Sequence, residues 1–232
     1  MTGTGTEVGK TVVAAVIART LVSEGKRVAV FKPAVTGLDD FAAEGPETSY
    51  KDALQSRRPD HVVLREAARS SQGDDEIAPY RYGPPMSPHL AAELAGEAIN
   101  PDRLLETARR AVAGADVLVC EGVGGLLVPL RADYLVRDLA VDLALPLVVA
   151  ASPGLGTINH TLLTIEAARE AGLDVGAVVL TPWPAEPTAI EWSNRETIAA
   201  LGEVRVDVLP PLDLDRASSW PRLASYLPKK GG

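Results

Sequence analysis

The sequence predicts an α/β fold: a doubly wound, mostly parallel sheet of the P-loop NTPase type, in a single domain over residues 1–232. Three observations predict it. Short valine-rich runs, apolar on both faces, alternate with longer helix-like segments, as strands sandwiched between two helical layers should. A glycine-rich stretch ending in Gly9-Lys10-Thr11 opens the first helix-like run. Charged and hydroxyl residues then recur just after the strand-like runs, where an open α/β sheet binds its ligands.

The predicted strands are RVAVFK (27–32), DVLVC (116–120), PLVVAA (146–151), VGAVVL (175–180) and VRVDVL (204–209). Between them the pattern predicts helices at 11–24, 86–98, 101–113, 158–171 and 188–202, the first closed by Gly25. Right-handed crossovers join them. Residues 38–85 are the least regular part, with short helical pieces such as DALQ and HVVLREAARSS, and read either as a functional insertion or as a solvated connection. The acidic run Asp74-Asp75-Glu76 reads as exposed surface rather than a metal site. No internal repeat or second domain is visible, and the tail LPKKGG reads as frayed.

With 46% hydrophobic residues in 232, the chain is long and apolar enough to bury a sizeable core. A net charge of −8 argues against a nucleic-acid surface, which is usually basic. The one cysteine, Cys120, excludes an internal disulfide framework and reads as a small core residue. No uninterrupted apolar run reaches the roughly 18 residues of a membrane span, and no signal peptide precedes the chain, so a cytoplasmic protein without membrane association is expected.

The phosphate loop carries the first chemistry. Its backbone N–H groups would cradle phosphates, Lys10 would reach the β/γ-phosphates and the Thr11 hydroxyl would sit on Mg²⁺. The match to GxxxxGK[ST] is a variant, because Thr4 stands where the pattern asks for glycine, with Gly3 and Gly5 on either side. Met1 and Thr2 alone precede the loop, too few to span a sheet of ordinary strands.

Three further junctions follow. Lys32 ends an apolar strand and must either snorkel to solvent or meet an anion. Glu121 follows another apolar strand and precedes Gly122, Gly124 and Gly125. It either faces solvent or joins Thr11 in offering hard oxygens to Mg²⁺. In GLGTINH, free N–H groups at Gly156, Thr157 and Ile158 would make an anion site at a helix start. His160 there, and His89 in PPMSPHLAAE, read as capping or packing residues rather than bases, and His61 has no supporting context.

Taken in order, GTGTEVGKT, FKPAVTG, PMSPHLAA, VCEGVGGLLVPL and GLGTINHTLLTIE resemble the dethiobiotin synthetase family over roughly residues 3 to 181. The resemblance implies an ATP- and Mg²⁺-dependent carboxylation of 7,8-diaminopelargonate with CO₂ (bicarbonate in solution) that closes a cyclic urea and releases ADP and phosphate. It implies that Glu7, Val8, Gly9, Lys10, Thr11 and Val12 hold the triphosphate, with Gly122, Val123 and Gly124 beside it. Lys10 and Lys32 would neutralise the carbamate and the transferring phosphoryl group. Thr11, Asp52 and Glu121 match metal-proximal positions, and Thr36 a contact to the carbamate end of the substrate. Thr181-Pro182 and Leu209, Pro210 and Pro211 resemble adenine-side loops. A homodimer is implied, in which Gly156, Thr157 and Asn159 of one subunit meet the substrate's tail carboxylate in the other.

One departure stands out. Family members carry an apolar strand before GTGTEVGKT, so the first strand is expected to be missing here, through a start placed too far downstream or a truncated record. An empty central position would expose two strand edges, with a distorted loop or poor solubility as the consequence. The competing reading is a P-loop switch ATPase of the partitioning type, which usually has a second lysine in the loop and a basic or amphipathic surface. Neither is evident in this sequence.

Overall fold

The five valine-rich runs become parallel strands in the computed structural model, which describes residues 1–39, 58–214 and 220–223. They are β2 (Val28–Phe31), β3 (Val117–Cys120), β6 (Leu147–Ala151), β7 (Val175–Leu180) and β8 (Val206–Val208). A two-residue strand, β1 (Thr2–Gly3), pairs parallel with β6, Thr2 opposite Val149 and Gly3 opposite Ala150. β2 pairs with β3, and β6, β7 and β8 follow one another, all parallel.

The Met1 backbone joins the two groups of strands. Its ammonium donates to Cys120 O (2.7 Å) and its carbonyl accepts from Gly122 N (2.9 Å), while Thr4 N donates to Ala150 O (3.0 Å). The strands therefore run in the order β2, β3, β1, β6, β7, β8, with the stub at the carboxyl end of the central position. That is where the phosphate loop begins.

Period-two alternation distributes the strands between two faces. Val28, Val30, Val119, Val148, Ala150, Ala177 and Val179 pack with α1 (Lys10–Ser23) and α2 (Asp60–Ala68). Leu147, Val149, Ala151, Val178 and Leu180 pack on the opposite side with α7 (Thr157–Glu170) and α8 (Ala189–Gly202). Phe31 enters a third cluster with α4 (Pro88–Leu94) and α5 (Pro101–Val112). Helix α1 is rich in β-branched valine, a modest helix former, yet Val13, Val16 and Ile17 are buried, so tertiary packing supplies its stability.

Most helix expectations hold to within a residue or two. The predicted 86–98 helix is the exception: α4 ends at Leu94, because Gly96 turns left-handed at φ +75°. The short α3 (Asp74–Ile77), the hairpin of β4 (Pro129–Arg131) and β5 (Tyr134–Leu135), and α6 (Val136–Asp142) are further elements that no periodicity marked. DALQ and the LPKKGG tail lie outside the described residues. No helix among the described residues is long and apolar enough to cross a membrane.

Candidate active site

The loop from Gly3 to Lys10 connects β1 to α1, and its glycines are required where contacts are tight. A Cβ on Gly3 would lie 2.7 Å from Val8 Cγ2 and 2.9 Å from Lys10 Cγ, so Gly3 supplies the close approach that the spelling of the motif put at Thr4. Gly9 adopts φ +83°, and Glu7 is left-handed at φ +59° without being glycine. For a non-glycine residue such as Glu7 this backbone costs about 1–3 kcal/mol, and such residues cluster at ligand clamps. Glu7 is exposed, and Val8 and Val12 pack half-buried on the first core. The Lys10 ammonium curls back to donate to Gly5 O (2.7 Å).

At the mouth of this loop four side chains from separate elements close a ring. Lys32, from the end of β2, donates to Glu121 Oε1 (2.7 Å), to Asp60 Oδ2 (2.9 Å) and to Gly122 O (3.4 Å). Thr11, in the first turn of α1, lies 3.0 Å from Asp60 Oδ1 and 2.9 Å from Glu121 Oε1. Lys32 is 3% exposed and Glu121 fully buried, and Glu121 Oε2 has no hydrogen-bond partner among the described residues. Lys32 therefore does not snorkel to solvent but meets two carboxylates, and Glu121 points inward rather than to solvent.

Electrostatics follow from burial and pairing. Burial opposes the charge on Lys32, but Asp60 and Glu121 outweigh it and raise its pKa. Burial likewise works against the Asp60 carboxylate, and Lys32 more than reverses it, lowering its pKa. For Glu121 burial prevails over Lys32 and the carboxyl is pushed up. Lys10 is lowered, chiefly by burial.

Besides Glu121, the structure brings Asp60 to Thr11, from the start of α2 after Pro59. Asp52 lies outside the described residues. Asp60 went unread in the sequence, although the signal was present: an acidic residue opening HVVLREAA is a helix start whose side chain faces the carboxyl edge of the sheet only once α2 packs on α1. Thr11, Asp60 and Glu121 provide hard oxygens, and the unpartnered Glu121 Oε2 leaves acceptor capacity, a donor set that suits Mg²⁺. Among the described residues no group of three or more His, Cys, Asp or Glu could hold a metal. A cation here would complete its shell with phosphate and water.

Of the glycines after Glu121, Gly125 lies against the phosphate loop. A Cβ on Gly125 would be 3.5 Å from Gly3 O, and one on Gly122 would be 2.9 Å from Val136 Cγ1. Gly124 is left-handed at φ +61°, and Val123 packs half-buried on the third core. Thr36, half-buried, sits in a loop zipped to residues 80–84 through Val35 N to Tyr80 O (2.9 Å) and Gly37 N to Pro84 O (3.1 Å). Buried Thr181 and exposed Pro182 neighbour Leu209, Pro210 and Pro211, because Trp183 N donates to Leu209 O (2.8 Å). The two loops paired by resemblance are therefore adjacent in space.

The start of α7 requires a correction. Gly156 turns left-handed at φ +91°, but Thr157 N donates to Gly154 O (3.2 Å) and is not free for an anion. A tight turn within the loop consumes it. The Thr157 hydroxyl is buried against Thr161 Oγ1 (3.3 Å), while Asn159 and His160 are exposed. The side chains of His89 and His160 make none of the ring's contacts. His61 is buried beside Asp60, its Nε2 3.8 Å from Asp74 Oδ1. Asp74 and Asp75 pair at the surface with Arg65 and Arg81, as the solvated reading of that run requires.

A glycine-rich loop hung from the middle of a parallel sheet, opening a helix with lysine and threonine, is the build of the P-loop class. The family described as AAA domain matches residues 1–216. Among curated relatives, the ATP-dependent dethiobiotin synthetase BioD of Mycobacterium sp. (strain KMS) is 38% identical over 228 residues, 94% of this chain and 93% of its own. The protein of the same name from Bacillus subtilis (strain 168) is 32% identical, over 87% of this chain and 81% of its own. That of Anaeromyxobacter dehalogenans (strain 2CP-1 / ATCC BAA-258) is 36% identical, over 99% and 96%. The chain belongs to the dethiobiotin synthetase family.

Proposed function

We propose that the protein closes a cyclic urea on 7,8-diaminopelargonate, using CO₂, ATP and Mg²⁺ and giving dethiobiotin, ADP and phosphate. The observation that carries this reading is the convergence of Lys10, Thr11, Lys32 and Glu121, from distant stretches of chain, around the phosphate loop. One amine of the substrate adds to CO₂ and loses a proton, forming a carbamate. A carbamate oxygen attacks the γ-phosphorus and ADP departs. The second amine then attacks the carbonyl carbon, and phosphate leaves with the C–O bond.

Lys10 and Lys32 would hold the negative charge that accumulates on the carbamate and the transferring phosphoryl group, and Thr36 would fix the carbamate end. Positioning and electrostatics are the main resources for phosphoryl transfer. Mg²⁺ held by Thr11, Asp60 and Glu121 would supply charge neutralisation on the phosphates. Asp60 would join this set, and Asp52, which the resemblance matches to a metal-proximal position, lies outside the described residues. Glu7, Val8, Gly9 and Val12 would line the triphosphate with Gly122, Val123 and Gly124, and Thr181, Pro182 and Leu209 to Pro211 the base. The reading includes a cytoplasmic homodimer, with the substrate tail at Gly156 and Asn159 of the partner subunit, while Thr157 is spent within its own turn.

The test is ADP release by the purified, folded protein in Mg-ATP and bicarbonate, with and without the diamine, and mass detection of the product. Diamine-dependent ADP with matching dethiobiotin is the expected result. ADP release indifferent to the diamine, with no dethiobiotin formed, would overturn the reading.

A further inference from the structure

The ring around Lys32 holds more acceptors than protons. An ammonium has three N–H donors. On Lys32 they face Glu121 Oε1, Asp60 Oδ2 and Gly122 O, so this arrangement leaves none for a carbamate or a phosphoryl oxygen. Thr11 has one hydroxyl proton for two carboxylate oxygens, Asp60 Oδ1 and Glu121 Oε1. Glu121 Oε2 is buried and, among the described residues, unpartnered. Two carboxylates thus share one ammonium, and among the described residues Glu121 Oε2 is left without a donor.

We propose that the Lys32 ammonium is the resident counter-ion of the Glu121–Asp60 pair and competes directly with a divalent cation for it. Cation loading then frees Lys32 for the anionic substrate. This rests on the Mg-ATP reading above and deepens it. Without a counter-ion the buried Glu121 carboxylate and the partly exposed Asp60 carboxylate would repel, so Lys32 sits between them when no divalent cation is bound. When the carboxylates turn to a divalent cation, their charge is matched without Lys32, and its three N–H groups are released together. The ammonium serves the apo fold and the loaded site in turn, and the two roles exclude each other.

The test uses Mn²⁺ alone as the probe, titrated into the full chain without nucleotide and followed by the electron paramagnetic resonance of free Mn²⁺. Lys32→Met is expected to tighten Mn²⁺ binding by roughly tenfold or more, equivalent to about 1.4 kcal/mol per tenfold. Lys10→Met is the control. Its ammonium also feels both carboxylates but donates to Gly5 O, and a screened effect of about threefold is expected. Equal tightening in the two variants, or none in Lys32→Met, overturns direct competition.

Should Lys32→Met fail to fold, ¹⁵N-lysine NMR of the wild-type protein decides. A protected ammonium resonance from buried Lys32 is expected to shift or vanish on adding Mg²⁺; persistence unchanged at saturation overturns the proposal. Neither experiment depends on dethiobiotin formation. A wild-type protein active with the diamine but lacking these signatures would fail the competition alone, and one showing them without diamine-dependent turnover would fail the synthetase reading alone.

Discussion

Thr181, just after β7, packs its methyl group so closely on Gly9 of the phosphate loop that a Cβ on the glycine would come within 2.5 Å of Thr181 Cγ2. The contact ties the loop to a strand three positions along the sheet order from β3, and links the residues proposed to hold the triphosphate to a loop proposed to meet the base.

Gly9→Ala should therefore suffer twice, from φ +83° and from the collision. About 1–3 kcal/mol is expected for the backbone strain, read as a fall in Tm of about 2–4 °C per kcal/mol. Nucleotide binding should weaken with it. Adding Thr181→Ser removes the colliding methyl and should recover only the steric share. Circular dichroism melts and ATP calorimetry on the two variants measure both parts; an unchanged Tm and affinity in Gly9→Ala would contradict the packing.

The carboxylate beside Thr11 is decided by comparing Asp60→Asn with Asp52→Asn. Changes to residues one shell out from a metal cost roughly 10–100-fold, and a direct ligand should cost at least that. Asp60→Asn is expected to lose at least tenfold in Mg²⁺-dependent ADP release, and Asp52→Asn much less. The reverse order would return the role to Asp52.

Cys120 should be inert. Burial pushes its thiol up to about 11, with the Met1 ammonium opposing and Glu121 adding to the rise. At pH 8 the thiolate is scarce in the fold and only the thiolate reacts. Ellman's reagent is expected to leave the native protein unlabelled and to modify the cysteine on unfolding in guanidinium chloride. Rapid labelling of native protein would mean that the β3 end opens freely.

Arg27 fixes the start of β2 to that of β3 through Asp116, its guanidinium 2.8 Å from Asp116 Oδ1. Hydrogen bonds from the Arg27 side chain and backbone hold the carboxyl at about 2, below its ordinary 3.8. The folded state thus binds fewer protons than the unfolded chain between those values. The pair's stabilisation is complete above pH 3.8 and fades as pH falls toward 2. In Arg27→Gln the Asp116 carboxyl should titrate nearer 3.8 by NMR, and the acid limb of stability in that window should flatten.

By itself the sequence determined what local pattern can determine. The valine-rich runs that became β2, β3, β6, β7 and β8 were legible because a strand buried on both faces must be apolar throughout. The phosphate loop, Lys32 and Glu121 were legible because a charge ending an apolar strand needs a reason. Tertiary structure alone decided the rest. It made a two-residue β1 the seam between β3 and β6, since the backbone bonds of Met1 are non-local and leave no periodic trace. It chose Asp60, whose place beside Thr11 exists only because α2 packs on α1. It spent the Thr157 N–H within its own turn, where the sequence had left it free. And it set one ammonium between two carboxylates 61 residues apart in sequence (121 − 60), because the buried charges of Lys32 and Glu121 must be matched in space, and sequence distance does not enter that balance.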